Sequence, residues 1–205
     1  EMQFGTNHIG HFLLTNLLMP AILAGANPRI VNLSSAGHTH SDVNLDDPNF
    51  EKSEYNAWES YGRSKSANIH FTQEIVRRYG DRIQSFAVHP GVIMTELGRH
   101  LTPELMNEMT ERVKSRATSS SEAKETGALP FKSVEAGAAT QVWASVTENL
   151  SENNGAYLGD CQVGVEGGNP SESGYLPYIF NKDTAEALWS LSEKLVKQEF
   201  PQLTS

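Results

Sequence analysis

Short β-branched runs alternate along this chain with longer stretches whose apolar residues recur at helical spacing. Few architectures accept that order; the natural one is a parallel sheet with helices on both faces. Residues near 2–24 read as a helix, with Phe12, Leu13, Asn16, Leu17 and Met19 on a broad face and Gly25-Ala26-Asn27-Pro28 as its stop. Arg29 to Ser34 reads as a buried strand. Ala36 to about Trp58 is loop-like, with Asp46-Asp47-Pro48-Asn49 as a turn signal. A long helix is predicted near 58–79, ending before Gly80. A second strand runs from Ile83 to His89 and is stopped by Pro90-Gly91. A polar helix near 102–116 leads into a Ser-, Thr- and charge-rich stretch, 114–127, that predicts a mobile surface segment. Another helix near 132–147 opens on Ser133 as N-cap with Glu135 in its first turn. Gly155 to Val165 reads as a third strand. The last helix, near 182–198, carries Leu188, Leu191, Leu195 and Val196 on one face. Three strands are few for such a sheet.

Composition narrows the function. The 205 residues suggest one domain, and a formal net charge of -9 with no basic run argues against nucleic acid or an anionic membrane as partner. No stretch approaches the ~20 apolar residues of a membrane span, and no secretory signal is present. The single cysteine, Cys161, rules out an internal disulfide and reads as a small buried apolar residue. The abrupt start at Glu1-Met2-Gln3-Phe4 suggests a chain cut from something longer.

Chemistry is concentrated in Ser60-Tyr61-Gly62-Arg63-Ser64-Lys65. Tyr61 and Lys65 lie one helical turn apart, on one face. A free phenol, with a pKa of roughly 10, is a poor base near neutrality. An ammonium within reach favours the phenolate, so the pair can serve as a general acid/base. Alone, the spacing more often marks a solvated tyrosine beside an unrelated lysine. Here a strand ending in Asn32-Leu33-Ser34-Ser35 precedes the helix, and one ending in Val88-His89-Pro90-Gly91 follows it. Ligands of open parallel sheets collect at the carboxyl ends of the strands, which places these segments on one rim.

Four blocks carry a family resemblance: Phe4-Gly-Thr-Asn7-His-Ile-Gly-His-Phe12, Arg29-Ile-Val-Asn-Leu-Ser-Ser35, Tyr61-Gly-Arg-Ser-Lys-Ser-Ala-Asn68 and His89-Pro-Gly-Val-Ile-Met-Thr95. In order and spacing the chain resembles the short-chain dehydrogenase/reductase family over nearly its whole length. It is most like the branch with retinol dehydrogenases and WW-domain oxidoreductase-like proteins; many fungal reductases look similar. The resemblance implies an α/β fold, a Rossmann-like parallel sheet with flanking helices, incomplete because N-terminal strands are missing. Residues 1–205 would be a single domain, the C-terminal catalytic portion. It implies an oxidoreductase that moves a hydride between NADP, or NAD, and a hydroxyl or carbonyl. Tyr61 matches the catalytic tyrosine, and Lys65 the lysine that lowers its pKa and holds the nicotinamide ribose. Ser35 matches the serine that orients the substrate oxygen, with Ser34 as the adjacent alternative. Asn7 matches the asparagine that maintains a water-linked proton path to the lysine. Pro90, Gly91, Ile93 and Thr95 match the cofactor-binding turn and the positions after it. The expected partner is a small-molecule alcohol or carbonyl, with a homo-oligomer as an open option. The expected location is cytoplasmic, unless an upstream segment carries a signal or anchor.

Other residues have plainer readings. Ala67, Asn68 and Thr72 read as packing or surface. His8, His11 and His70 do not have the spacing of a metal set, so no metal site is expected. His38 and His40 could line a substrate pocket. Trp58, Trp143 and Trp189 read as core or interface. Leu97, Leu101, Leu105, Met106 and Met109 suggest an apolar substrate, or else pack their helix onto the sheet.

One departure from the family is large. No G-x-x-x-G-x-G turn stands at the start, and the cluster from Gly164 to Gly168 reads as a loop after the last strand. By the resemblance, about four strands holding most of the adenosine and pyrophosphate sites would precede Glu1. The Ile30-Val31 strand would then lack a neighbour, an edge prone to pairing. Two functional readings follow. One is an active reductase or dehydrogenase represented by its C-terminal part. The other is a truncated, catalytically inactive member acting as a binding or assembly partner.

Overall fold

The computed structural model describes residues 1–93, 95, 96, 101–117 and 131–203. It begins with α1 (Met2–Phe4), a π-helical turn (Gly5–Ile9) and α2 (Gly10–Leu23), where the periodicity predicts one helix. β1 (Arg29–Leu33) leads to a 3-10 turn (Ala36–His40) inside the segment read as loop. α3 (Ala57–Tyr79) starts at Asn56, whose side chain accepts from the Trp58 and Glu59 amides. β2 (Gln84–His89) follows, then β3 (Val92–Ile93) and α4 (Pro103–Ala117). β4 (Phe131–Lys132) precedes α5 (Val134–Val146), capped as expected by Ser133 Oγ, which accepts from the Ala136 amide. β5 (Tyr157–Gly159), β6 (Gln162–Val163), β7 (Val165–Glu166), β8 (Gly174–Tyr175) and α6 (Lys182–Val196) follow, with 3-10 turns at Glu148–Asn153 and Pro177–Phe180. The segment 114–127, read as mobile, falls largely outside the described residues.

The main sheet has the order β1-β2-β5-β6. β1, β2 and β5 are parallel, with Leu33 opposite Val88 and His89 opposite Gly159. Their carboxyl ends therefore share one rim, and the Rossmann-like α/β expectation holds. The third strand differs from its reading: Gly155 to Val165 is not continuous. Leu158 faces Val163 and Gly159 faces Gln162 in an antiparallel hairpin. Its two-residue loop, Asp160-Cys161, has φ of 49° and 54°. Two consecutive left-handed residues suit a hairpin turn whose twist matches the strands, although neither is a glycine. Cys161 is exposed at that tip, against the expectation of burial. The glycine cluster is not plain loop either, since β7 within it pairs in parallel with β8. β3 and β4 form a further parallel pair. Two-residue strands carry too little pattern to be read from sequence.

α3 is the centre of the packing. From Ser66 to Thr72 every residue is buried, because the helix lies between the sheet and a second layer. On the outer side Phe71 and Ile75 join Phe12, Met19, Tyr79 and Trp189. On the sheet side Ile69 packs with Ala87, Tyr157 and Ile179. Ala67 meets Phe4 and Leu188. α5 covers the opposite face, with Ala144 against Phe86, Val88 and Leu158. Among the described residues no helix is long and apolar enough to cross a membrane.

Candidate active site

The rim at the ends of β1 and β2 brings together Ser35, Tyr61 and Lys65. α3 approaches the loop after β1 unusually closely, and two glycines allow it. A Cβ on Gly62 would lie 2.9 Å from His40 Cβ and 3.0 Å from Gly37 O. A Cβ on Gly37 would lie 2.5 Å from Tyr61 Cε1 and 2.7 Å from Cδ1. The Tyr61 ring thus rests directly on the backbone of Gly37. Neither role is visible locally, since one partner lies on the loop and the other on the helix.

The two adjacent serines separate by geometry. Ser34 is buried and its hydroxyl donates to Lys65 O at 2.9 Å, tying strand to helix. Ser35 Oγ accepts from the Gly37 amide at 3.0 Å, which leaves its O–H as the free donor. The Ser35 side chain faces the Tyr61 phenol without reaching full hydrogen-bond geometry. Burial holds that phenol above its ordinary pKa, with the Ser35 contact acting in the opposite sense. Lys65 Nζ stands 5.5 Å from the Tyr61 ring centroid. Desolvation sets the direction of the Tyr61 shift, and the lowering expected from this ammonium is not among its causes in this structure. The ammonium itself is depressed to about 8 by burial. Among the described residues it makes one hydrogen bond, a long one, 3.5 Å to Leu33 O.

Asn7 reaches the same helix from the other side. Its Nδ2 donates to Ser64 Oγ at 3.0 Å, and its carbonyl accepts from Asn68 Nδ2 at 2.9 Å. Asn68 also donates to Leu33 O at 2.9 Å, so it links the asparagine turn to the end of β1. It is fully engaged and buried, a bracing residue where sequence suggested packing or surface. The π-helical turn widens the backbone at Asn7, a feature often found where function needs a displaced carbonyl. His38 is likewise buried rather than lining a pocket. Its Nδ1 pairs with Ser35 O at 2.8 Å, and its carbonyl accepts from the Tyr178 hydroxyl. His8, Nε2 to Ser192 Oγ at 2.9 Å, and His70, Nε2 to Asp42 at 2.8 Å, have separate partners.

The positions expected on the cofactor side, Pro90, Gly91, Ile93 and Thr95, follow the next strand end. Gly91 has φ of 87°, and the stem of Lys132 occupies the space a Cβ would take. Ile93 points its side chain into the gap left by Gly137, where a Cβ would be 2.4 Å from Ile93 Cγ1. Thr95 is exposed.

Comparison with known proteins gives this rim a context. A family model described as short chain dehydrogenase matches residues 1–105. The chain belongs to the short-chain dehydrogenase family. It is 38% identical to human retinol dehydrogenase 14 over 197 residues, covering 96% of this chain and 52% of that protein. With the short-chain dehydrogenase/reductase prx1 of Penicillium roqueforti it shares 38% over 205 residues, covering 96% and 56%. With human retinol dehydrogenase 13 it shares 36% over 204 residues, covering 99% and 56%. An uncharacterised Mycobacterium paratuberculosis protein of known structure superposes with a TM-score of 0.65 at 28% identity, covering 98% of this chain and 60% of that one. The chain therefore spans about half the length of the curated relatives it matches.

Proposed function

We propose that these residues form the catalytic portion of an oxidoreductase that transfers a hydride between NADP, or NAD, and the hydroxyl or carbonyl carbon of an apolar small molecule. The observation that carries it is the meeting of the Tyr61 phenol, the free Ser35 O–H and the Lys65 ammonium at the carboxyl ends of parallel strands. Bound, the nicotinamide cofactor would supply or accept the hydride. Lys65 fits its ribose: an ammonium with one long carbonyl contact has N–H donors available for neutral hydroxyls. Pro90, the Gly91 turn, the Ile93 backbone and the exposed Thr95 form the side on which the rest of the cofactor would lie.

In the reducing direction Tyr61 donates its proton to the substrate oxygen. A phenol kept above its ordinary pKa by burial is protonated at neutral pH and suits this role. Ser35 O–H fixes the same oxygen. Lys65 stabilises the phenolate that results, and Asn7 with Asn68 holds the helix face behind it. In oxidation the proton moves the other way.

An apolar substrate is supported by α4 and the residues just before it. Leu101, Leu105, Met106 and Met109 are half-buried and, among the described residues, belong to none of the four core clusters; Leu97 lies outside the described residues. Two relatives bear the name retinol dehydrogenase, and retinol is a lipid-like alcohol.

The test is Tyr61→Phe in the natural full-length protein, assayed by NAD(P)H absorbance with apolar aldehydes and ketones. Turnover should fall about 10³-fold, within the range of a lost general acid, while the cofactor KM stays within about threefold. Near-native turnover would refute the assignment.

A further inference from the structure

The histidine before the Pro-Gly turn is used by nothing described so far. His89 closes β2 and is only 2% exposed. Its Nδ1 accepts two backbone N–H groups, from Ala36 at 3.2 Å and from Gly91 at 3.3 Å. Ala36 directly follows Ser35, and Gly91 opens the segment assigned to the cofactor. One imidazole therefore spans the loops after two neighbouring strands.

We propose that His89 is a positioning residue whose neutral ring sets the spacing between the Ser35 loop and the Gly91 turn. This rests on the oxidoreductase reading for its consequence, though the bridge itself stands on geometry. A nitrogen that accepts two N–H groups cannot carry a proton, so the ring hydrogen sits on Nε2. Nε2 faces the Ser171 backbone without reaching full hydrogen-bond geometry. A second proton would drive an N–H against both amides. The groups facing the ring are Lys132, Asp160 and His38, with Lys132 and Asp160 paired to each other. Burial first, and the Lys132 ammonium second, press the imidazole down to about 4, so it stays neutral at ordinary pH.

The Lys132–Asp160 pair gives the arrangement a back wall. Asp160 is placed by the left-handed hairpin loop, and the Lys132 stem fills the space beside Gly91. The turn is thus pressed from one side by Lys132 and held from the other by His89. A loose turn would let the cofactor side drift relative to Ser35 and Tyr61, and a displacement near 1 Å is enough to cost about 10²-fold in rate.

The experiment compares His89→Asn and His89→Leu in the natural full-length protein, with Tyr61→Phe alongside. Asn offers an oxygen near the place of Nδ1; Leu keeps bulk without an acceptor. Asn should hold kcat and cofactor KM within about threefold. Leu should lower kcat on the order of 10²-fold and raise cofactor KM about tenfold, since Ser35 and the turn lose their common anchor. Hydrogen exchange at the Ala36 and Gly91 amides should speed up in Leu and stay slow in Asn. Nitrogen-15 NMR of the native protein should show His89 as the Nε2–H form, without titration between about pH 5 and 8. An Nδ1–H tautomer, a titration near 6.5, or a Leu variant with native kinetics and protected amides would each overturn the proposal. An active Tyr61→Phe enzyme would instead remove Tyr61 as the proton donor, and the exchange and NMR results would still decide the bridge; a wild-type protein that turns over no aldehyde or ketone with NAD(P)H would remove the oxidoreductase reading.

Discussion

Gly37→Ala should disable the site while leaving the fold in place. The added Cβ would stand 2.5 Å from Tyr61 Cε1 and 2.7 Å from Cδ1. Carbon atoms settle at about 3.5 Å or more, so the ring must retreat by about 1 Å. The backbone cannot give way cheaply, because Gly37 N donates to Ser35 Oγ and Gly37 O lies near Gly62. Tyr61 is half-buried and can swing outward, and that swing carries the phenol away from Ser35. A 1 Å error in the proton donor predicts a fall in kcat on the order of 10²-fold. Overpacking costs about 1–3 kcal/mol, partly offset by the smaller unfolded-state entropy of alanine. The assay is steady-state kinetics on the natural full-length protein with thermal unfolding in parallel. A lowered kcat with Tm down by only a few degrees is expected. Unchanged kcat would show that the Tyr61–Gly37 contact does not govern catalysis.

Other outcomes follow from the same geometry. Lys65→Met should abolish turnover yet stabilise the fold at pH 7, because a partly buried ammonium is replaced by an apolar stem. After allowance for partial exposure, the gain is on the order of 1–2 kcal/mol. Lys65 drops to about 8 in the folded chain from an ordinary 10.5, so the folded state binds fewer protons between those values. Wild-type stability should therefore rise relative to Lys65→Met as pH climbs through that window, as urea titrations at pH 7 and 10 would reveal. Asn68→Ala strips the hydrogen-bond donor from Asn7 O and Leu33 O, both at 2.9 Å, and should cost about 2–4 kcal/mol in chemical denaturation. A loss under about 0.5 kcal/mol would show that these carbonyls find other partners.

Much of the architecture was legible because it is written in short-range pattern. The helix of α3, the β-branched run of β1, the Pro-Gly stop after β2 and the Ser133 cap of α5 each depend on residues within a turn or two. The hairpin from Tyr157 to Val163 was misread as one strand. Its loop residues, Asp160 and Cys161, lack the glycine or asparagine that announces left-handed backbone. The burial expected of Cys161 rested on residue type alone, and a residue at a hairpin tip is exposed whatever its side chain prefers.

Sequence alone determined that Tyr61 and Lys65 share a helix face, and that the segments holding Ser35 and Gly91 each follow the end of a strand. Helical and strand periods are local, and they place such residues without reference to the rest of the chain. Tertiary structure decided which serine meets the phenol, why Gly37 and Gly62 have no room for a side chain, and that His89 reaches Ala36, 53 positions away. Those outcomes come from close contact between segments distant in sequence. Whether a hydroxyl is spent on a carbonyl or left free is settled only when the two segments are packed together.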